Sequence, residues 1–215
     1  MDRFPKGLLW TIGILALVIG ALRMWVFKVW TIPDDPRLGA SIAPTLFAGD
    51  VVLILTRGEL GFGDLVRCAD PEALEPGQYV IGRIVGTAFD IVETDGPRLS
   101  VNGKKYDAST ACKDKTFVVE HPTSGSEIEL KCDVVEMAGE WHYRGKSDKK
   151  SMFISKTKNE VGPEMFFLLS DNREFPDDSR SYGAVPKSSC KERLFYRLWS
   201  KAGWSDAKAR MTYIH

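Results

Sequence analysis

Neither sign of charge dominates this chain. Lys and Arg number 29 and Asp and Glu number 29, so a nucleic-acid partner has no electrostatic support. Metal-binding spacing is missing as well. The histidines are His121, His142 and His215, and none of the four cysteines stands in a Cys-x-x-Cys pair, so neither a metal site nor a cofactor is expected. Internal repeats and low-complexity tracts are absent, and no long amphipathic helical period appears after Trp30. The 215 residues suit one domain, or one domain with a sizeable insertion.

One long apolar run is present. From Gly7 to Phe27 the only charge is Arg23, and a helix of that length reaches roughly 30 Å, the thickness of a bilayer's hydrocarbon core. Arg23 and Lys28 can snorkel, and Trp25 and Trp30 suit the interface between lipid and water. A cleaved signal would be shorter and end in small residues, whereas Lys28-Val29-Trp30-Thr31-Ile32-Pro33 is a poor cleavage site. A buried core helix would be apolar on one side only. The expectation is a retained membrane anchor. Its orientation is poorly determined by charge, because Arg3 and Lys6 on one side are opposed by Arg23, Lys28 and Arg37 on the other.

After Ile32 the pattern is short β-rich runs with Gly, Pro and Asp punctuation. Strands are expected at Val51–Leu55, Leu65–Cys68, Tyr79–Val85, Phe89–Glu93 and Leu99–Val101. Further strands are expected at Phe117–Glu120, Glu127–Val135, Met152–Lys156, Met165–Leu169 and Arg193–Trp199. Asn102-Gly103 is a hairpin signal. The fold class is all-β, a β core with an inserted smaller β lobe, preceded by one transmembrane helix. The divisions are 1–31 for the tip and anchor, 32–104 with 161–215 for the core, and 105–160 for the more polar lobe. Cys112 and Cys132 bracket a stretch able to fold back on itself. A disulfide there and buried free thiols are equally open, as for Cys68 and Cys190.

Four segments in order carry a recognisable pattern. They are Ser41-Ile42-Ala43-Pro44-Thr45-Leu46 with Gly49-Asp50, then Gly63-Asp64-Leu65-Val66. Val80-Ile81-Gly82-Arg83-Ile84-Val85-Gly86 follows, leading into Leu99 to Lys104. The last is Phe167 to Arg173 followed by Asp177-Asp178-Ser179-Arg180-Ser181-Tyr182-Gly183. Together with the N-terminal anchor these resemble signal peptidase I, the membrane-bound leader peptidase that removes signal peptides from exported proteins. The resemblance runs from the anchor to about Trp199.

That resemblance implies a Ser-Lys dyad on an all-β scaffold, in which a desolvated lysine takes the proton of a serine hydroxyl. It puts Ser41 at the nucleophile position, with Gly39 and the Ser41 N–H beside the oxyanion. Val80 and Ile81 fall on the strand that pairs with substrate, and Ile42 and Leu46 on the small-residue pockets. The implied substrate is an extended Ala-x-Ala segment added as a β-strand. Asp64, Arg83, Asp171, Asn172, Asp178 and Arg180 are framework positions, with Asp178 and Arg180 as an expected ion pair.

The pattern breaks at its chemical centre. The family's lysine precedes the arginine of the third motif, and here that place holds Gly82. Two positions that neighbour the lysine in the family hold Ser170 and Pro176. Arg83 cannot serve as base, because its pKa is too high. The reach between Ile32 and Ser41 is also longer than the family's, through Pro33-Asp34-Asp35-Pro36-Arg37-Leu38. The reading is a pseudopeptidase that binds signal-peptide-like segments of exported preproteins at a bacterial inner membrane, with its β domain on the extracytoplasmic side. An active signal peptidase or an assembly partner could work beside it. The alternative is an active signal peptidase with Ser41 and an unidentified base.

Overall fold

The computed structural model describes residues 6–75, 77–147 and 156–214. The strand expected at Met152–Lys156 falls almost wholly outside them. The chain opens with helix α1 (Lys6–Trp25), which follows the apolar run. A Cβ on Gly13 or Gly20 would meet open space, and Trp10, Leu15 and Leu17 are exposed. Among the described residues no helix is long and apolar enough to cross a membrane. Trp25 is followed almost at once by strand.

The rest is β structure apart from short helical turns. Strand β1 (Phe27–Thr31) leads into helix α2 (Pro36–Ile42), then β2 (Val51–Leu55), β3 (Leu65–Ala69) and β4 (Tyr79–Gly86). A hairpin follows, β5 (Ile91–Asp95) and β6 (Arg98–Val101), with the short β7 (Lys104–Lys105) after it. Asn102 and Gly103 turn the chain between β6 and β7 with φ of 50° and 79°, the left-handed pair that an Asn-Gly hairpin needs. Long strands β8 (Ala108–Glu120) and β9 (Glu127–Met137) come next, then β10 (Glu140–Lys146) and β11 (Thr157–Glu160). The chain closes with β12 (Met165–Leu169), helix α3 (Ser179–Tyr182), β13 (Val185–Pro186), β14 (Cys190–Trp199) and β15 (Thr212–Tyr213).

Among the described residues the strands form three sheets. The largest runs β1-β2-β14-β3-β4-β12-β13, with β15 also on β14; β10-β9-β8 and β11-β5-β6-β7 are separate. The order brings strands distant in sequence together, which short alternating apolar runs allow but do not specify.

Successive residues of β4 point to opposite faces, and the two faces serve different cores. Ile81 packs with Leu38, Ile42 and Leu46 from the α2 side. Val80 and Ile84 pack with Val66, Cys68 and Leu168 on the other. A third cluster, Ala43, Val119 and Leu130 with Phe47, Phe117, Ile128 and Phe175 around it, joins the β8–β9 hairpin to the segment after α2. Both possible cystine pairs are closed: Cys68–Cys190 ties β3 to β14, and Cys112–Cys132 ties β8 to β9.

Candidate active site and peptide groove

Helix α2 is written by its own first residues. Asp35 has extended backbone, and its carboxylate accepts from the N–H groups of Arg37 and Leu38 at 2.9 and 3.2 Å. Pro36 fills the first turn, where a missing N–H costs nothing. Leu38 and Ile42, one turn apart, bury against Ile81 of β4. The stretch that lengthens the approach to the serine is therefore a capped helical turn laid on β4.

Ser41 sits in the last turn of α2. Its side chain is buried, and its hydroxyl donates to the Leu38 carbonyl at 2.9 Å. Its own carbonyl accepts from the Asn172 N–H at 2.9 Å, while the Asn172 amide donates to the Ala40 carbonyl at 2.8 Å. The Gly39 N–H is taken by the Asp35 carbonyl at 2.8 Å. Among the described residues no hydrogen bond joins the Ser41 hydroxyl to a lysine or histidine. In this arrangement the hydroxyl is held by the backbone of its own helix.

Strand β4 is paired unevenly. On one side β3 matches it from Tyr79 to Arg83; on the other β12 matches only Arg83, Ile84 and Gly86. The stretch Tyr79–Gly82 is therefore an edge on its β12 side, beside the serine helix. Val80 and Ile81 are fully buried here, so the edge would take an extended chain as a further strand only once the covering α2 side moves aside.

Gly82 lies within that stretch. A Cβ at this position would come within 3.0 Å of the Leu168 Cβ and 3.5 Å of the Leu169 carbonyl oxygen. At the Cβ the nearest atoms all belong to β12. Ser170 is buried nearby, and its hydroxyl accepts from the Asp177 N–H at 3.0 Å.

Beneath the site lie two buried ion pairs. Arg83 holds Asp171 through Nε and Nη2 at 2.8 and 2.7 Å and donates from Nη1 to the Gly63 carbonyl at 2.7 Å. The Thr45 hydroxyl adds a 2.6 Å bond to Asp171. Burial by itself would push the Asp171 carboxyl up, but the Arg83 guanidinium overrides it and holds the acid below its ordinary range. Asp178 and Arg180 pair at 2.9 and 2.7 Å, and Asp178 also accepts from the Ser170 N–H. Its carboxyl, which burial would raise, is likewise held low by Arg180. Asp64 is at the half-exposed margin, paired with Arg193 at 2.9 Å.

The residues singled out from sequence thus gather around one place. Ser41, Gly39, Ile42, Leu46 and Ile81 lie on the α2 face of β4; Val80 turns to the other face; Asp171, Asn172, Asp178 and Arg180 form the flanking loop. Two further residues, Arg37 and Asp70, escape the motif pattern. Arg37 donates from Nε to Asp177 at 2.9 Å and from Nη2 to Asp70 at 3.0 Å. Asp70 follows the end of β3, and Asp177 is tied to Ser170, just past the end of β12. Arg37 therefore bridges the two flanks of the unpaired edge. The pair Asp35-Pro36 is a helix-start signal that could have exposed this turn; the partners of Arg37 carry no local signal.

Arg173 is different. It is buried, and its Nε and Nη1 have no hydrogen-bond partner. Burial, with Arg180 alongside, draws its pKa down to about 9. It is a surplus charge beside two satisfied pairs. No cluster of three or more His, Cys, Asp or Glu able to hold a metal occurs among the described residues.

Comparison with known proteins agrees on kinship. The family described as "Signal peptidase, peptidase S26" matches residues 6–199. Signal peptidase IB of Staphylococcus aureus is 24% identical over 191 residues, covering 86% of this chain and 87% of that protein. Signal peptidase I of Bacillus caldolyticus is 24% identical over 200 residues, covering 92% and 93%. Among solved structures, a signal peptidase I from Enterococcus faecalis V583 is 19% identical with a TM-score of 0.41, covering 64% of this chain and 97% of that one.

Proposed function

Because the chain belongs to the signal peptidase family, peptidase S26, we propose that it binds extended, signal-peptide-like segments of exported proteins and has lost the ability to cut them. The observation that carries this reading is the pairing of an unpaired β4 edge with a glycine. The stretch Tyr79–Gly82 has no strand partner on its β12 side, and a peptide that displaces the α2 cover would add there as a strand. The position that would carry the base is Gly82, and a Cβ there would press on Leu168 at 3.0 Å. The Ser41 hydroxyl, with no amine to take its proton, stays a poor nucleophile. Loss of a positioned base costs roughly two to four powers of ten in rate.

The binding surface in this proposal is the β4 edge with Ile81, Ile42 and Leu46 as the apolar contacts and Val80 behind them. Ser41 and Gly39 keep the positions of nucleophile and oxyanion donor without the chemistry. Arg83–Asp171 and Asp178–Arg180, with Asn172 and Asp64, keep the frame rigid. The apolar run at α1 serves as the tether, with the β domain on the extracytoplasmic side of a bacterial inner membrane. Support for the tether is the set of exposed apolar side chains along α1. An active signal peptidase or an assembly partner receives the bound segment.

The test is incubation of the full-length protein in detergent with a preprotein carrying an Ala-x-Ala site, alongside Ser41→Ala. The expected result is binding without cleavage in both proteins, with binding lost in Ile81→Arg. Cleavage that disappears in Ser41→Ala would overturn the proposal in favour of an active peptidase using another base.

A further inference from the structure

The segment after Ser41 faces two cores at once. Ile42 and Leu46 turn toward β4, while Ala43 and Phe47 turn toward the β8–β9 hairpin. Phe47 and Phe117 meet edge to face, with ring centroids 6.4 Å apart. A groove of about 770 Å³ opens at this junction. Its apolar surface is Pro44, Phe47, Phe117, Tyr143 and the Cys112–Cys132 bridge, and its far wall is the chain from Arg197 to Ala209. The groove therefore begins three residues beyond Ser41, on the side away from the β4 edge.

The charges around it are unequal in one respect. Every lining carboxylate is engaged. Asp50 pairs with Arg197 at 3.1 Å, Asp114 with Lys208 at 3.6 Å, and Asp206 accepts from the Ser200 hydroxyl at 2.8 Å and from the N–H groups of Lys208 and Ala209. Lys113 and Lys201 are also on the lining, both exposed, and neither ammonium forms an ion pair among the described residues. The groove offers an apolar surface with two unspent positive charges on its rim.

We propose that this groove docks the polypeptide that continues beyond the segment paired to β4, and that it selects an extended stretch carrying carboxylates. The inference rests on the binding function proposed above. A chain added to the β4 edge and passing Ser41 has to leave over the residues that follow Ser41, and Pro44 and Phe47 are where the groove starts. Apolar side chains of that stretch would cover Phe47, Phe117 and Tyr143, and its carboxylates would meet Lys113 and Lys201. Rim pairs of this kind contribute modestly to affinity but strongly to choice of partner.

The experiment compares three synthetic peptides on the full-length protein in detergent. One ends at its Ala-x-Ala segment; the others extend it by about six residues, rich in Asp and Glu or in Lys. Binding is read by fluorescence anisotropy on the wild type and on Arg37→Ala. The acidic extension should bind roughly three- to tenfold more tightly than the short peptide, as expected for two rim pairs plus apolar contact. Lys113→Glu with Lys201→Glu should transfer the preference to the basic extension and leave the short peptide unaffected. Equal binding of all three peptides, or a preference unchanged in the double variant, would overturn the groove assignment while leaving β4 binding intact. Failure of every peptide on both proteins would overturn the binding function and the groove with it.

Discussion

A Cβ on Gly82 would lie 3.0 Å from the Cβ of Leu168. The two residues are on neighbouring strands, β4 and β12, and Leu168 is fully buried. Position 82 is thus tight for any side chain. Gly82→Ala should destabilise the protein by about 1 to 3 kcal/mol, the range for overpacking a full core. The cost should shrink in a Leu168→Ala background, because the two changes share one contact. Chemical denaturation of the four proteins in the cycle measures this. Gly82→Lys should yield no cleavage, since the new side chain meets the same strand; efficient cleavage by that variant would contradict the packing argument.

Arg37 spans Asp70 and Asp177 on either flank of the open edge, and its side chain is half exposed. A solvent-screened contact of this sort adds less than about 1 kcal/mol to global stability. Its effect is local. Arg37→Ala should leave the unfolding midpoint nearly unchanged while speeding amide exchange over residues 36–42, and extended peptides should bind more tightly. Unchanged exchange in that segment would show that packing of Leu38 and Ile42 holds α2 without the bridge.

The two buried arginines near the site should behave in opposite ways. Arg83→Met strips Asp171 of its main partner and leaves a buried carboxylate, a loss of roughly 3 to 5 kcal/mol. Arg173→Met removes a guanidinium whose Nε and Nη1 are already unpartnered, so stability should hold or rise. Thermal melts of both variants decide this, and a large loss in Arg173→Met would reveal a partner for that charge.

Acid should act through the depressed carboxyls. Asp133, Asp171 and Asp178 are held below their ordinary values; burial opposes this, and Arg144, Arg83 and Arg180 respectively overcome it. Their contribution is complete above the unfolded pKa of about 3.9 and is lost as pH falls through the lower folded values. Asp50 and Asp177 have the opposite sign. Burial raises both, so protonation favours the fold as pH falls from their folded values toward about 3.9. Melting temperature should therefore change little on mild acidification and fall steeply below about pH 4. Asp178→Asn should flatten the steep part, and Asp177→Asn should cost less at neutral pH than Asp178→Asn.

Much of the strand pattern was legible because local rules generate it. Val51–Leu55 and Met165–Leu169 match their strands end to end, since short apolar runs bounded by turn residues have few other uses. Asn102-Gly103 forms its expected turn, because that pair tolerates left-handed backbone. Strands β1 and β10 were not legible. Phe27–Thr31 merges into the apolar run before it, and Glu140–Lys146 is half charged and gains its strand character from β9 alongside. Helix α2 hid in a stretch read only as a longer link, although Asp35 and Pro36 mark its start.

The sequence by itself determined the kinship, the apolar N-terminal run, the order of the motifs and the absence of lysine before Arg83, because these are matters of residue identity and spacing. Tertiary structure decided the rest. It turned the Ser41 hydroxyl onto the Leu38 carbonyl, set Leu168 close to where a Gly82 Cβ would go, left half of β4 without a partner on its β12 side and stretched Arg37 between Asp70 and Asp177. It also closed both cystines, joining Cys68 to Cys190 across 122 residues of chain. Apart from the Ser41–Leu38 bond, which is local to α2, these relationships join residues far apart in sequence, and only the packing of strands brings such residues together.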